Sequence, residues 1–303
     1  MSRKYQFKQV DVFTKSPFSG NPLAVVFDAD DLEVSEMQKI TAWTNLSEAV
    51  FFLKKSDPKA DYKIKIFSPT YELPFAGHPT LGAAYSAIES GIVDLDDIIE
   101  NKNGTMIQEC KIGLVELKVT RHSKIVDELK GLDISIAFKS PTPEFIEVSP
   151  ASQLGFLKGF NLSESQGLKF LTVKIGITWC IAQFPNPELL LSIEPNMDQI
   201  KKMSIEENVD GITCFAFYPD SKSYEVRTFA PAADTPEDPV CGSGNAAVSC
   251  FMSHVLGLTG EFSGRQGKIL GRDGQIGLTV TENSSNNYVA GKAITVVNGT
   301  IVA

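Results

Sequence analysis

The chain has 303 residues, 43% of them hydrophobic, with 37 acidic against 28 basic side chains and a net charge of −9. That is apolar material for two well-packed domains of about 150 residues each. The acidic balance, without a Lys/Arg cluster, argues against nucleic acid or an anionic membrane surface as the main partner, since both need a basic patch. No apolar run approaches the roughly 18 to 20 residues that span a bilayer, and the first residues, Met1-Ser2-Arg3-Lys4-Tyr5-Gln6, contain no apolar signal core. The five cysteines, Cys110, Cys180, Cys214, Cys241 and Cys250, are widely spaced and form no CxxC, and the three histidines are scattered. Reduced thiols in a cytoplasmic protein without a metal site are the expectation.

In chain order, strand-like alternation runs over residues 5–13 and 23–27. Ser35-Glu36-Met37-Gln38 has the look of a capping box and opens a helix through Trp43. Strands follow at 50–53 and 62–67. Pro79 suits a first helical position, which predicts a helix through Tyr85 and Ile88 that stops before Gly91. After strands at 113–120 and 134–138, the stretch from Arg121 to about Pro150 reads as a crossover, with polar His122-Ser123-Lys124 and Pro141-Thr142-Pro143. The strand texture returns at 171–184, 211–217 and 223–229. A second long helix is predicted from near Ser243 through Ala246, Ala247, Val248 and Phe251 to about Leu256, ended by Gly257. Strands at 276–281 and 288–297 close the chain.

Helices are few, and the two long ones carry small residues (Ala83, Ala84; Ala246, Ala247) in their early turns, as suits a helix packed tightly inside a curved sheet. The fold class expected is α+β, with two pseudo-symmetric domains, each a barrel-like mixed sheet around a central helix. Residues 1–120 form the first half and 121–287 the second, with the final stretch, 288–303, packing back on the first.

Internal repetition supports that division. Lys65, Phe67, Pro69 and Pro74 recur with one constant spacing as Arg227, Phe229, Pro231 and Pro236. Ser35, Met37, Ile40 and Asn45 likewise match Asp198, Ile200, Met203 and Asn208, which reads as an N-cap, two core positions and a terminating Asn. Ile112-Gly113-Leu114 returns as Ile276-Gly277-Leu278. A duplicated pair of domains commonly takes its ligand between the halves.

The residues that could carry chemistry cluster on this repeat. Ala76-Gly77-His78-Pro79-Thr80 and Cys241-Gly242-Ser243-Gly244-Asn245 are helix N-termini whose glycines admit close approach and whose free N–H groups bind carboxylates. Glu48 has Gly211 as its counterpart, so the acid exists on one side alone. Desolvation there would raise its pKa toward neutrality and let it shuttle a proton. Asp238, in Glu237-Asp238-Pro239, could accept from helix N–H groups or orient a ligand amine or hydroxyl; equally, it could serve the helix dipole. His78 could hold a neutral imidazole or be a structural residue. Cys241 invites a nucleophilic reading, because a helix N-terminus lowers a thiol pKa, but no His lies near it in sequence to complete a cysteine hydrolase.

Val10-Asp11-Val12-Phe13-Thr14, Pro17-Phe18-Ser19-Gly20-Asn21-Pro22-Leu23-Ala24-Val25-Val26, Asn45-Leu46-Ser47-Glu48, Phe75-Ala76-Gly77-His78-Pro79-Thr80-Leu81-Gly82 and Glu237-Asp238-Pro239-Val240-Cys241-Gly242-Ser243 resemble the phenazine-biosynthesis isomerase (PhzF-like) family. Gln266-Gly267, Gly271-Arg272 and Val289-Ala290-Gly291-Lys292-Ala293 extend the resemblance over nearly the whole chain. It implies a diaminopimelate-epimerase-like fold, a homodimer, and cofactor-independent proton-shift isomerisation, the type reaction being on trans-2,3-dihydro-3-hydroxyanthranilate. Carried over, Glu48 is the general acid/base, His78, Asp238 and Ser243 contact the ligand, Gly77 and Gly242 offer backbone donors, and Asn21 belongs to the pocket. Cys241 stands where many relatives are expected to have threonine, and looks like a thiol of the related epimerases and proline racemases. Those use two opposed cysteines, whereas the mirror position here is Ala76. The expected reaction is a proton transfer on a small carboxylate substrate bound between the halves, with no cofactor. The alternatives are a racemase or epimerase using Cys241, alone or against Glu48, and a non-catalytic binding protein of the same fold.

Overall fold

The computed structural model describes residues 3–123, 131–163, 167–220 and 222–303. The chain runs β1 (Lys4–Val12), β2 (Asn21–Val26), α1 (Val34–Thr44), β3 (Ala49–Leu53), β4 (Tyr62–Phe67), β5 (Glu72–Leu73), α2 (Gly77–Glu89), α3 (Leu95–Glu100), β6 (Thr105–Cys110), β7 (Gly113–Arg121) and β8 (Ile134–Lys139). It continues through β9 (Glu144–Ile146), α4 (Pro150–Gly159), β10 (Lys169–Ile175), β11 (Ile177–Gln183), α5 (Pro187–Ser192), α6 (Met197–Glu206), β12 (Gly211–Phe217), β13 (Ser223–Ala230) and β14 (Thr235–Asp238). It closes with α7 (Gly242–Leu256), β15 (Gly260–Gln266), β16 (Gly274–Val280), β17 (Tyr288–Gly291) and β18 (Ala293–Val302). Two compact units result: residues 1–138 with 290–303, and residues 139–289.

The fold is a mixed α+β arrangement with the same pairing pattern in each unit. In the first, β1 is antiparallel to β2, β2 parallel to β3, β3 antiparallel to β4, β4 parallel to β6 and β6 antiparallel to β7. In the second, β10 to β11, β12, β13, β15 and β16 repeats that alternation. The crossover helices match too. α1 buries Met37 and Ile40 and ends on Asn45 at φ 56°, while α6 buries Ile200 and Met203 and is followed by Asn208 at φ 52°. The Met–Ile echo is thus a pair of equivalent core faces.

α2 is buried from Gly77 to Ile88. Its small residues allow this: a Cβ at Gly82 would lie 2.5 Å from Leu23 Cδ2 and 2.9 Å from Val12 Cγ2, so only glycine lets the helix sit this close to β1 and β2. α7 is buried from Gly244 to Met252 and lies on β10, β11, β12 and β16. It ends on Gly257 at φ 63°, as its glycine predicts.

Several details differ from the sequence expectations. The N-caps of α1 and α6 are Glu33 and Asn196, two residues before Ser35 and Asp198. Glu36 turns back to accept from the Glu33 amide at 2.8 Å, and Asn196 Oδ1 accepts from the Gln199 amide at 3.0 Å, so the true caps are better served. The run 171–184 is a hairpin turned at Gly176, φ 91°, and 288–297 is split into β17 and the start of β18. Ile112 lies exposed in the β6–β7 turn whereas Ile276 is buried within β16, so that echo does not mark equivalent positions. Of the crossover read at 121–150, residues 124–130 lie outside the described ones; the remainder includes β8 and β9.

Candidate active site

In the first unit, the αL residue Asn45 stops α1, and the chain turns through Leu46 and Ser47 to place Glu48 at the mouth of β3. His78 stands in the first turn of α2. The two meet, His78 Nδ1 lying 3.2 Å from Glu48 Oε2, with His78 5% and Glu48 21% exposed. The contact has ion-pair distance but not hydrogen-bond direction: Glu48 Oε2 and His78 Nε2 are both buried and make no hydrogen bond among the described residues.

Burial pushes the Glu48 carboxyl up, but the attraction of His78 and a hydrogen bond from Ser47 outweigh it and leave the pKa below the ordinary 4.5. The expected rise toward neutrality is therefore corrected. The pull of His78 and Ser47 on the carboxylate overrides desolvation, and Glu48 rests ionised.

Asn21, buried, opens β2 opposite Val12. Because β2 and β3 are parallel, it lies at the same end of the sheet as Glu48. The preceding loop is held by Asp11, whose carboxylate accepts from the Ser19 amide at 2.8 Å and the Gly20 amide at 3.1 Å. Gly77 has a packing reason to be glycine, since its Cβ would fall 2.7 Å from the Phe138 ring. The amides of Gly77 and His78 have no hydrogen-bond partner among the described residues, while that of Thr80 reaches Ala76 O at 3.1 Å.

In the second unit, Asp238, Cys241, Gly242 and Ser243 share the turn into α7. Glu237 is spent on Arg227 in a buried two-point pair, both contacts at 2.9 Å. Asp238 accepts from the Val240 amide at 3.0 Å. Gln266, fully buried, ties the turn together: its Oε1 accepts from the Cys241 amide (3.1 Å) and Asn245 Nδ2 (2.9 Å), and its Nε2 donates to Asp238 O (3.0 Å). Tyr224 in turn donates to Asn245 Oδ1 at 2.9 Å. The Gly244 amide goes to Cys241 Sγ and the Asn245 amide to Cys241 O. Among the described residues this leaves the Gly242 and Ser243 amides open.

Cys241 acts as the helix cap, and its thiol is not activated. Burial and the nearby Asp238 carboxylate push it well above its ordinary range, against the smaller pull of its bonds to Ser243 and Gly244. The expectation of a lowered thiol pKa is corrected on that ground: dehydration at this helix end exceeds the dipole's help. Ser243 Oγ accepts from Trp179 Nε1 at 3.1 Å.

The sequence does not single out Trp179 or Tyr224 as supporting this site, and Asn245 and Gln266 enter only through motifs. Tyr224 repeats Tyr62 at the spacing that links Arg227 to Lys65, a signal that could have found it. Trp179 gave no signal beyond being an indole in an apolar strand. Among the described residues, no three His, Cys, Asp or Glu side chains are grouped to hold a metal, and no helix is long and apolar enough to cross a membrane.

Residues 10–299 match the model of the phenazine biosynthesis-like protein family (PhzC-PhzF). The chain is 36% identical to antisense-enhancing sequence 1 of Schizosaccharomyces pombe over 98% of both chains. It is 30% identical to trans-2,3-dihydro-3-hydroxyanthranilate isomerase of Pseudomonas fluorescens, over 77% of this chain and 74% of that one. A phenazine biosynthesis protein of Bacillus anthracis superposes with a TM-score of 0.82 at 23% identity, covering 99% of each chain. With several curated relatives named as isomerases, the chain is an isomerase and belongs to the phenazine biosynthesis-like (PhzF) family.

Proposed function

We propose that this isomerase moves a proton on a small carboxylate-bearing substrate, by a 1,3-type shift or an epimerisation, without a bound cofactor and with Glu48 as general base and then acid. One observation carries this: Glu48 Oε2 and His78 Nε2 are buried without hydrogen bonds. Leaving such an atom unsatisfied costs about 1–3 kcal/mol, which a substrate's own polar group would return. An ionised Glu48 is ready to accept a proton from carbon. Its lowered pKa makes it a modest base, so the substrate C–H must be acidified by its carboxylate, with charge building up where helix-end N–H groups can meet it. The same low pKa makes the protonated carboxyl a willing donor for the return step. Acid/base work of this kind supplies roughly 10² to 10⁴ in rate.

His78, with Nδ1 turned to Glu48, would offer Nε2 to a substrate hydroxyl or amine. Substrate-binding roles fall to Asn21 and Gly77 in the first unit and to Asp238, Gly242 and Ser243 in the second. Cys241 takes a structural part. Assembly as a homodimer and a cytoplasmic location belong to the same proposal, to be tested by light scattering and cell fractionation.

The relative from Pseudomonas fluorescens supplies the first substrate to try, trans-2,3-dihydro-3-hydroxyanthranilate, followed by other cyclic amino and hydroxy carboxylates. Proton NMR in D2O should show isomerisation or exchange at carbon by the wild type. A Glu48→Gln variant with unchanged melting should lose at least about 10² of that rate. Full exchange and turnover in the variant would defeat the proposal.

A further inference from the structure

The second unit holds a corner that corresponds to Glu48–His78. Ala49 pairs with Phe67 in the first unit and Ile212 with Phe229 in the second, so Gly211 occupies the place of Glu48. Gly242 and Ser243 likewise open α7 as Gly77 and His78 open α2. What fills the corner is Trp179, which is opposite Gly211 on β11 and 3% exposed. A Cβ on Gly211 would lie 2.7 Å from the indole Cζ3 and 2.3 Å from Phe229 O. The indole Nε1 then reaches Ser243 Oγ at 3.1 Å.

An indole N–H only donates, so Ser243 Oγ must be the acceptor in this bond. The hydroxyl keeps its own hydrogen to give away. Its neighbour within the protein is Cys241 Sγ at 3.6 Å, a weak acceptor. A carboxylate oxygen is a far stronger one.

We infer that Trp179 is the positioning residue of Ser243: by donating to Oγ it fixes the hydroxyl as a hydrogen-bond donor toward the substrate carboxylate. This rests on the substrate-binding role proposed for Ser243. In this role Trp179, 3% exposed, acts through Ser243.

The chain has two tryptophans, and the other, Trp43, is 80% exposed on α1. In a Trp43→Phe protein labelled with 15N, one indole N–H resonance therefore reports the bond to Ser243. Titration with 3-hydroxyanthranilate, an aromatic stand-in for the relative's substrate, should move that resonance, and Ser243→Ala should abolish the movement. In turnover of trans-2,3-dihydro-3-hydroxyanthranilate, Trp179→Phe should lower kcat/KM about tenfold, chiefly through KM, as expected for one hydrogen bond. The double variant Trp179→Phe/Ser243→Ala should be no worse than Ser243→Ala alone.

Two results would overturn the inference while leaving the proposed function standing. One is binding and turnover with a stationary indole resonance. The other is losses from the two substitutions that multiply, which would mark Trp179 as a packing residue. Should Trp179→Phe fail to fold, the titration still decides, because it leaves Trp179 in place. A wild type that neither binds the stand-in nor turns over substrate would remove the proposed function, and this inference with it.

Discussion

The two units carry one pairing scheme, yet the corners where their central helices begin are built for opposite states. Around α2, Glu48 and His78 face each other at 3.2 Å with an atom apiece left unpaired. Around α7, a net of side chains engages nearly every group: Trp179 on Ser243, Gly244 on Cys241, and Gln266 on both Cys241 and Asp238. A buried polar network that is fully satisfied rigidifies, whereas an unpaired buried polar group is costly. The difference teaches that duplication kept the scaffold and let the side chains at the two helix starts diverge, with unpaired atoms in one unit and a hydrogen-bonded net in the other.

The supporting networks diverge in the same way. Tyr62 donates to Gln108, and Gln108 to Thr80, at 2.9 and 3.2 Å, a short chain that stops behind α2. By register, Gly264 takes the place of Gln108, since Tyr62 is opposite Gln108 and Tyr224 opposite Gly264. The Tyr224 hydroxyl lies 2.5 Å from where a Gly264 Cβ would be, so that space is filled. The glutamine of this strand comes one pleat later, as Gln266, and from there it reaches the backbone that enters α7.

The comparison can be broken most forcefully at the repeated cation. Arg227 is buried, paired with Glu237, and donates to the carbonyls of Leu190 and Ile193, whereas Lys65 has no ion pair among the described residues. Arg227→Met strands a buried carboxylate and should cost about 3–5 kcal/mol in urea unfolding, while Lys65→Met should stay within about 0.5 kcal/mol. Equal costs would show that the two cations do the same work.

A smaller effect is expected at the filled corner. Gly211→Ala forces a methyl against Phe229 O and the Trp179 ring, so a loss of about 1–3 kcal/mol should appear in unfolding. An unchanged midpoint would mean that this corner has room for a side chain after all.

The finest test is a pH profile. The proposed role requires Glu48 to be ionised, so kcat/KM should fall as pH drops through a value below 4.5. His78→Gln removes the attraction of His78 for the carboxylate but leaves the burial, so the residual activity should lose its acid limb at a higher pH than the wild type. A limb that stays put, or moves down, would show that His78 does not set the charge of Glu48.

Much of this was legible in the sequence. Phe67 and Phe229, Met37 and Ile200, and the glycines ending α2 and α7 are short-range signals tied to burial and backbone sign, and they locate both helices and the duplication. Glu48 and His78 could be named because each sits beside a recognisable stop or start. Their electrostatics could not, because the pKa of Glu48 depends on a contact between residues thirty positions apart. Cys241 misled for the same reason: helix-end position is visible in a string of letters, whereas complete dehydration and the approach of Asp238 are not. The Gln266 network was illegible because an amide reads as an ordinary polar residue until the turn it grips is folded beside it.

The glycine at 211 also limits where this lineage can go. Placing in the second unit an acid that matches Glu48 would require a side chain that meets main-chain oxygen and an indole at once. No single substitution supplies that. The asymmetry behaves as a ratchet, passable only by altering strand, tryptophan and glycine together.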